Sequence, residues 1–311
     1  MTSASGGSAP ALRFGINLLA TGSRREFAAK CRKAESLGYD VLLLSDHLRL
    51  PSSPAAAAAA MAPLPALVSA AEATERPRVG TFVLNGGFHN PLLLARDIAT
   101  IDRLTEGRLE LGLGTGYVRG EFEAAGLPWG TARDRVDRLE RLVTEVGSFL
   151  EDPGFGLDLV QKPRPPLLIG ANGDRMLRFA AENADIVGFS GLRQDPGKAS
   201  GELTLVDAPA MAERVDYLRK TAADLGRRPE LNVLVHTVAR TADPRAATRG
   251  IRGRPDGMTD DEALHLPGLL AGSDRELADG VLERRERFGF TYFTVLEPFM
   301  DQFGHVIDQL R

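Results

Sequence analysis

A single cysteine, Cys31, stands in a chain of 311 residues, which excludes an internal disulfide and fits a reducing, cytoplasmic setting. No apolar run approaches the ~18 residues that a membrane-spanning helix needs. Blocks of one charge sign are missing as well: 38 basic and 42 acidic residues are interspersed and leave a formal charge of -4. That pattern points away from nucleic acid and from anionic membranes, and toward a small-molecule ligand. Lysine is scarce, at positions 30, 33, 162, 198 and 220 only, and with heavy Ala and Gly usage this suggests a GC-rich genome. The stretch from Met1 to Pro10 is small and polar, without the apolar core of a signal peptide, and reads as a disordered tail.

What is present is an alternation of short apolar runs with amphipathic segments. Val41-Leu42-Leu43-Leu44 is too short for an independent helix and suits a strand buried on both faces of a parallel sheet. Arg13 to Leu18 is a strand before it, and Ser23 looks like the N-cap of the intervening helix, which Gly38 stops. Further strands are predicted at Arg78 to Leu84, Arg108 to Leu113, Leu167 to Gly170, Asp185 to Phe189, Leu231 to Val238 and Thr291 to Leu296. Helices fall between them at Pro63 to Thr74, Asn90 to Leu104, Arg133 to Leu150, Asp174 to Asn183, Asp207 to Leu225 and Asp274 to Phe288, and Pro298 opens the last. The alanine run Ala55 to Ala60 is low-complexity, and the polar stretch Thr241 to Asp261 reads as a mobile excursion.

Eight strands alternating with helices, with no linker between them, predict an α/β fold of the (β/α)8 TIM-barrel type. The expected domain runs from 12 to 311 after a tail of residues 1–11, with a variable excursion near 241–266. The rival, a doubly wound dinucleotide fold, fails at Gly112-Leu113-Gly114-Thr115-Gly116, because Tyr117 sits where the third glycine should fall.

In a barrel the strand ends converge on one mouth, which nominates Asp46 and His47, Asn85 to Gly87, Gly114 to Tyr117, Gly170 to Gly173, Ser190 to Arg193, His236 and Glu297. Ser45, Asp46 and His47 cannot form a hydrolytic triad, since successive strand residues face opposite ways. The histidines are too scattered for a metal site, so no metal is expected. Gly170-Ala171-Asn172-Gly173 before a helix is either a phosphate nest or a tight turn. His47 suits proton donation near neutral pH or a structural hydrogen bond, and Asp46 suits an imidazole, a ligand hydroxyl or a cap. His236 shares a strand face with Asn232 and Leu234 and reads as packed; Glu297, before Pro298, reads as a helix-start acid.

Taken together, AESLGYDVLLLSDHL (34–48), RVGTFVLNGGFHNPLLLARDIATIDRLTEGRLELGLGTGY (78–117), EFEAAGLP (121–128), PPLLIGANGDRMLRFAAENADIVGFS (165–190) and RRERFGFTYFTVLEP (284–298) resemble the luciferase-like monooxygenase superfamily, in particular its deazaflavin-dependent branch. The resemblance implies a homodimeric barrel holding a flavin or deazaflavin at its mouth. It maps the ring against a bulge ending strand three, with a non-proline cis peptide at Leu84-Asn85-Gly86. It also makes Asp46 a cofactor contact, His47 the proton donor, Thr115 and Gly116 ring or ribityl contacts, Gly170, Ala171, Asn172 and Gly173 the phosphate loop, and Ser190 a further contact.

The Ser-Asp-His end of strand two looks like enzymes using coenzyme F420, whereas FMN-dependent relatives tend to carry an acid followed by two histidines. Hydride transfer to or from a small organic substrate, such as a secondary metabolite, is therefore expected; the alternatives are an FMN-dependent monooxygenase and a non-catalytic flavin-binding barrel. Sugar-phosphate dehydrogenases of the branch have a glutamate after Gly-Thr-Gly and a tryptophan shortly after Asp-His, where this chain has Tyr117 and Leu50-Pro51. Sugar-phosphate oxidation is thus disfavoured. Arg193 falls near a phosphate-binding lysine of those enzymes, and Tyr117, Arg193, His236 and Glu297 are the substrate-side candidates.

Overall fold

The computed structural model describes residues 11–48, 60–195 and 197–311; the expected tail through Pro10, most of the alanine run and Leu50-Pro51 lie outside the described residues. Eight strand positions close into a parallel barrel. They are β1 (Arg13–Leu18), β2 (Val41–Leu44), β3 (Arg78–Thr81, resuming at Leu84–Asn85), β4 (Leu109–Gly114), β5 (Leu167–Gly170), β6 (Ile186–Phe189), β7 (Glu230–Val235) and β8 (Tyr292–Leu296). Each pairs in parallel with its neighbours, β8 with β1, and β4 with both pieces of β3, so no edge remains.

The period of two in each strand sorts the side chains. Leu42, Leu44, Leu111, Leu113, Ile169, Val187 and Val233 point outward into one continuous core with the helices, while Val41, Leu43, Leu168, Ile186 and Tyr292 fill the barrel interior. Below that filling lies a floor of charge: Glu110, almost wholly buried, pairs with Arg13 and with Arg78, and Arg13 also pairs with Glu230 at 2.6 Å. Helices begin where local capping chemistry says they should. Ser23 and Thr131 form capping boxes with Glu26 and Asp134, Asn90 accepts from Leu92 and Leu93, and Gly289 closes the helix Asp274–Phe288 at φ 70°.

Two predicted strands are broken, for identifiable reasons. The run Arg78 to Leu84 stops at Thr81, whose hydroxyl exchanges hydrogen bonds with the N–H and carbonyl of Gly112 in place of the backbone ladder. A Cβ at Gly112 would lie 2.0 Å from the Thr81 carbonyl oxygen, so the two strands approach as only glycine permits. The non-proline cis peptide joins Phe82 and Val83, upstream of the expected Leu84-Asn85-Gly86. The run Leu231 to Val238 is also divided. The His236 and Thr237 N–H groups both donate to Gly268 O, at 2.8 and 3.2 Å, and turn the chain outward into a strand Thr237–Arg240 that pairs with Leu269–Gly272 outside the barrel.

The excursion after it carries two short helices, Pro244–Thr248 and Asp260–Leu264, over a small core of Leu205, Ala263, Leu266 and Leu269. Arg254 holds Asp260 at 2.7 Å, and the buried Arg284 donates to the carbonyls of Leu266 and Pro267.

Candidate active site

At the carboxyl end of β2 the chain sends three consecutive side chains to three different pairs of partners. Ser45 points inward, accepting from Asn17 at 3.0 Å and donating to the Phe82 carbonyl. Asp46 Oδ2 accepts the Asn85 N–H at 3.0 Å and faces His89 Nε2 at 2.9 Å, so the acid ties the end of β2 to the end of β3. His47 Nδ1 lies 3.1 and 3.2 Å from the two carboxylate oxygens of Glu121, and its Nε2 lies 3.3 Å from the Tyr117 hydroxyl. The Tyr117 ring meets the imidazole edge-on at 5.5 Å.

Glu121 comes from the short helix Arg119–Ala124 that follows the Gly-Thr-Gly loop, and it is buried. Its Oε1 also accepts the Leu48 N–H at 2.8 Å, so one carboxylate fixes both the imidazole and the backbone beyond it. The next residue, Phe122, anchors the helix through Phe88 and Trp129 at 5.2 and 5.1 Å. Tyr117 is the outermost member of the trio at 44% exposure. Partial burial and the charge of Glu121 push the phenol above its usual value, so it stays protonated at neutral pH.

The β3 and β4 ends form a wall made mostly of backbone. Asn85 is buried, accepts the Gly87 N–H through Oδ1, and lies against Gly116, where a Cβ would sit 2.4 Å from that oxygen and where φ is +73°. Gly86 N–H donates to Gly114 O at 2.8 Å. Thr115 is half-buried beside Gly116, whereas the Leu84 side chain is wholly buried in the outer core.

Across the mouth, Gly170 to Gly173 lead into the helix Asp174–Asn183, whose N-cap Gly173 offers no side chain to its first N–H groups. A Cβ at Gly173 would meet nothing within 4 Å. Ala171 is buried, and Asn172 Nδ2 donates to Ser190 Oγ and to Leu192 O, both at 3.1 Å. Ser190 O faces His236 Nε2 at 2.6 Å; burial holds that imidazole below its usual pKa against the opposing effect of this bond, so it is a neutral N–H donor.

Of the remaining candidates, Arg193 is exposed and bonded to Asp195 at 2.8 Å. Glu297 is held by Lys30 at 2.7 Å and by the Leu19 N–H, which ties β8 to β1 and its helix. Sequence reasoning missed Glu121 and His89 as site members. Glu121 lies 74 residues from His47 and His89 lies 43 from Asp46, and no local pattern advertises such a pairing.

The fit to a tricyclic, phosphate-bearing cofactor can be judged from these residues. Glycines at the β3 and β4 ends let the backbone and Asn85 pack closely, an uncapped helix N-terminus presents N–H donors to an anion, and a carboxylate-held imidazole stands at the end of β2. The set fits.

Residues 11–255 match the family model for luciferase-like monooxygenases. The F420-dependent glucose-6-phosphate dehydrogenase of Intrasporangium calvum is 29% identical over 307 residues, covering 92% of this chain and 84% of that protein. Among solved structures, an F420-dependent secondary alcohol dehydrogenase in complex with an F420-acetone adduct superposes with a TM-score of 0.74 at 15% identity, covering 97% of this chain and 100% of that one. The coenzyme F420-dependent tetrahydromethanopterin reductase of Methanopyrus kandleri gives 0.73 at 18% identity, with the same coverage. At these identities the two structures speak for a common fold.

Proposed function

Because the chain belongs to the luciferase-like monooxygenase family, we propose that it is a coenzyme F420-dependent oxidoreductase acting on a small organic substrate at the barrel mouth. The observation that carries this reading is His47, held by Glu121 beside the glycine-built wall of β3 and β4. Relatives whose names specify F420 support the deazaflavin over FMN. When bound, the cofactor supplies a two-electron hydride donor or acceptor. The chain supplies orientation and the proton. Asn85, Gly86, Thr115 and Gly116 line the ring, with the backbone of Leu84 behind them, and the N–H groups of Gly170 to Gly173 and of the helix start receive the phosphate. Ser190, oriented by Asn172, adds a contact, and Asp46 sets the β3 end through Asn85 while its Oδ1 stays available to the cofactor.

His47 moves the proton that balances the hydride, because its imidazole joins the buried Glu121 carboxylate on Nδ1 to the Tyr117 hydroxyl on Nε2. Glucose 6-phosphate is disfavoured as substrate, since Tyr117 replaces the branch's glutamate and Arg193 is engaged by Asp195. The family resemblance supports a cytoplasmic homodimer. The test is a fluorescence titration of the protein with F420 and with FMN, followed by turnover against a panel of ketones, imines and enones. We expect F420 to bind the more tightly and His47→Ala to retain that affinity while losing most turnover; unchanged turnover at saturating cofactor would overturn the role of His47.

A further inference from the structure

The geometry points to Tyr117 as the catalytic residue that exchanges a proton with the substrate, with His47 behind it acting through Nε2 alone because Glu121 keeps the proton on Nδ1. This inference rests on the F420-dependent reading and adds the order in which its proton moves.

Three observations carry it. A carboxylate can only accept, so an imidazole nitrogen 3.1 and 3.2 Å from both oxygens of buried Glu121 must present an N–H to it. That assignment leaves Nε2 as the nitrogen that gains and loses a proton. The neighbour of Nε2 is the Tyr117 hydroxyl at 3.3 Å, a group that both donates and accepts. Exposure then orders the three residues: Glu121 is buried, the His47 side chain is 18% exposed and Tyr117 is 44% exposed, which makes Tyr117 the member of the trio that borders solvent. The edge-on ring contact holds the hydroxyl on the Nε2 side of the imidazole.

In the reductive direction the substrate oxygen or nitrogen would take the Tyr117 proton as negative charge develops on it, balancing the hydride that a bound reduced deazaflavin would supply to the substrate carbon. The phenolate recovers a proton from Nε2 of the imidazolium, which becomes neutral imidazole with Nδ1–H still on Glu121. In the oxidative direction each transfer reverses. Tyr117 would accept the substrate hydroxyl proton as Nε2 takes the phenol proton, and a bound oxidised deazaflavin would take the hydride. One hydride and one proton are moved either way. Glu121 does not touch the substrate and is a positioning residue.

The first test needs no cofactor. Nitrogen-15 NMR of the full chain, with His47→Ala to identify its signals among the five histidines, should show neutral His47 as the Nδ1–H tautomer. Glu121→Ala should lose that preference. Glu121→Gln, which retains an acceptor and guards against misfolding of the alanine variant, should keep it. An Nε2–H tautomer in the unmodified protein overturns the role of Glu121.

The second test uses the panel compound that the unmodified enzyme turns over. Tyr117→Phe keeps the ring contact and removes only the hydroxyl. It should lower kcat by about 10²-fold or more, the scale of a general acid or base, with F420 affinity and KM within about twofold. Full kcat in Tyr117→Phe together with a dead His47→Ala overturns the relay and leaves the F420 reading standing. Full kcat in both variants overturns the role of His47 as well as the relay, and only failure of the protein to bind F420 overturns the reading beneath it.

Discussion

Asp46→Ala separates two jobs that one carboxylate holds at this mouth. Its Oδ2 accepts the Asn85 N–H at 3.0 Å and faces His89 Nε2 at 2.9 Å, while Oδ1 makes no bond among the described residues. Truncation leaves the N–H of buried Asn85 without a partner, a cost of about 1–3 kcal/mol, and removes a hydrogen bond to a charged acceptor, about 1.5–3 kcal/mol when fully buried. Because the His89 side chain is 19% exposed and water can replace part of that bond, we expect a net loss of about 2–4 kcal/mol. For 311 residues at roughly 2.1 cal/mol/K each, the unfolding entropy is about 0.65 kcal/mol/K, so the thermal midpoint should fall by about 3–6 °C. Calorimetry of the cofactor-free protein measures this directly, and an F420 titration of the same variant reports the Oδ1 contribution. A midpoint within about 1 °C of the parent, together with lost cofactor affinity, would refute the latch between β2 and β3 and leave Asp46 a cofactor contact only.

Two further expectations concern the scaffold. Glu110→Ala removes the acceptor that Arg13 and Arg78 share on the barrel floor, and because Arg13 keeps Glu230 and both arginines are partly exposed, urea unfolding should show a loss of about 2–3 kcal/mol, below the ~3–5 kcal/mol of breaking a fully buried pair; a loss under about 1 kcal/mol would mean that water already serves the two arginines. His236 titrates below its unfolded value because burial opposes its charging, so between those two pKa values the unfolded chain binds more protons and acidification destabilises the fold. The parent should therefore lose more stability between pH 7 and pH 5 than His236→Gln does, and parallel pH profiles would refute the assignment of a neutral His236.

The barrel was legible because each piece of it is specified locally. Four aliphatics at Val41 to Leu44 can only be a strand buried on both faces, Ser23 and Asn90 announce their helices within one turn, and eight such repeats in order admit few other closures. The positions of the strand ends follow from that count, which is why Asp46, His47, the Gly-Thr-Gly loop and Gly170 to Gly173 were identifiable as a group. Where a strand would break was not legible. Thr81 replacing a ladder bond to Gly112, and Gly268 drawing the chain away at His236, depend on neighbours about 31 and 32 residues distant, which no window on either segment contains.

Chemical type and place at the mouth were therefore determined by the sequence alone, and partnership was decided by the tertiary structure. Asp46 and His47 are adjacent in the chain, yet their side chains diverge, one to His89 and Asn85 on the β3 end and the other to Glu121 and Tyr117 beyond β4. A hydrogen bond or ion pair acts over about 3 Å of space and is indifferent to chain separation. Only closure of the barrel, which brings the end of β2 against the ends of β3 and β4, could show that His47 is held by a carboxylate at Nδ1 and meets a phenol at Nε2.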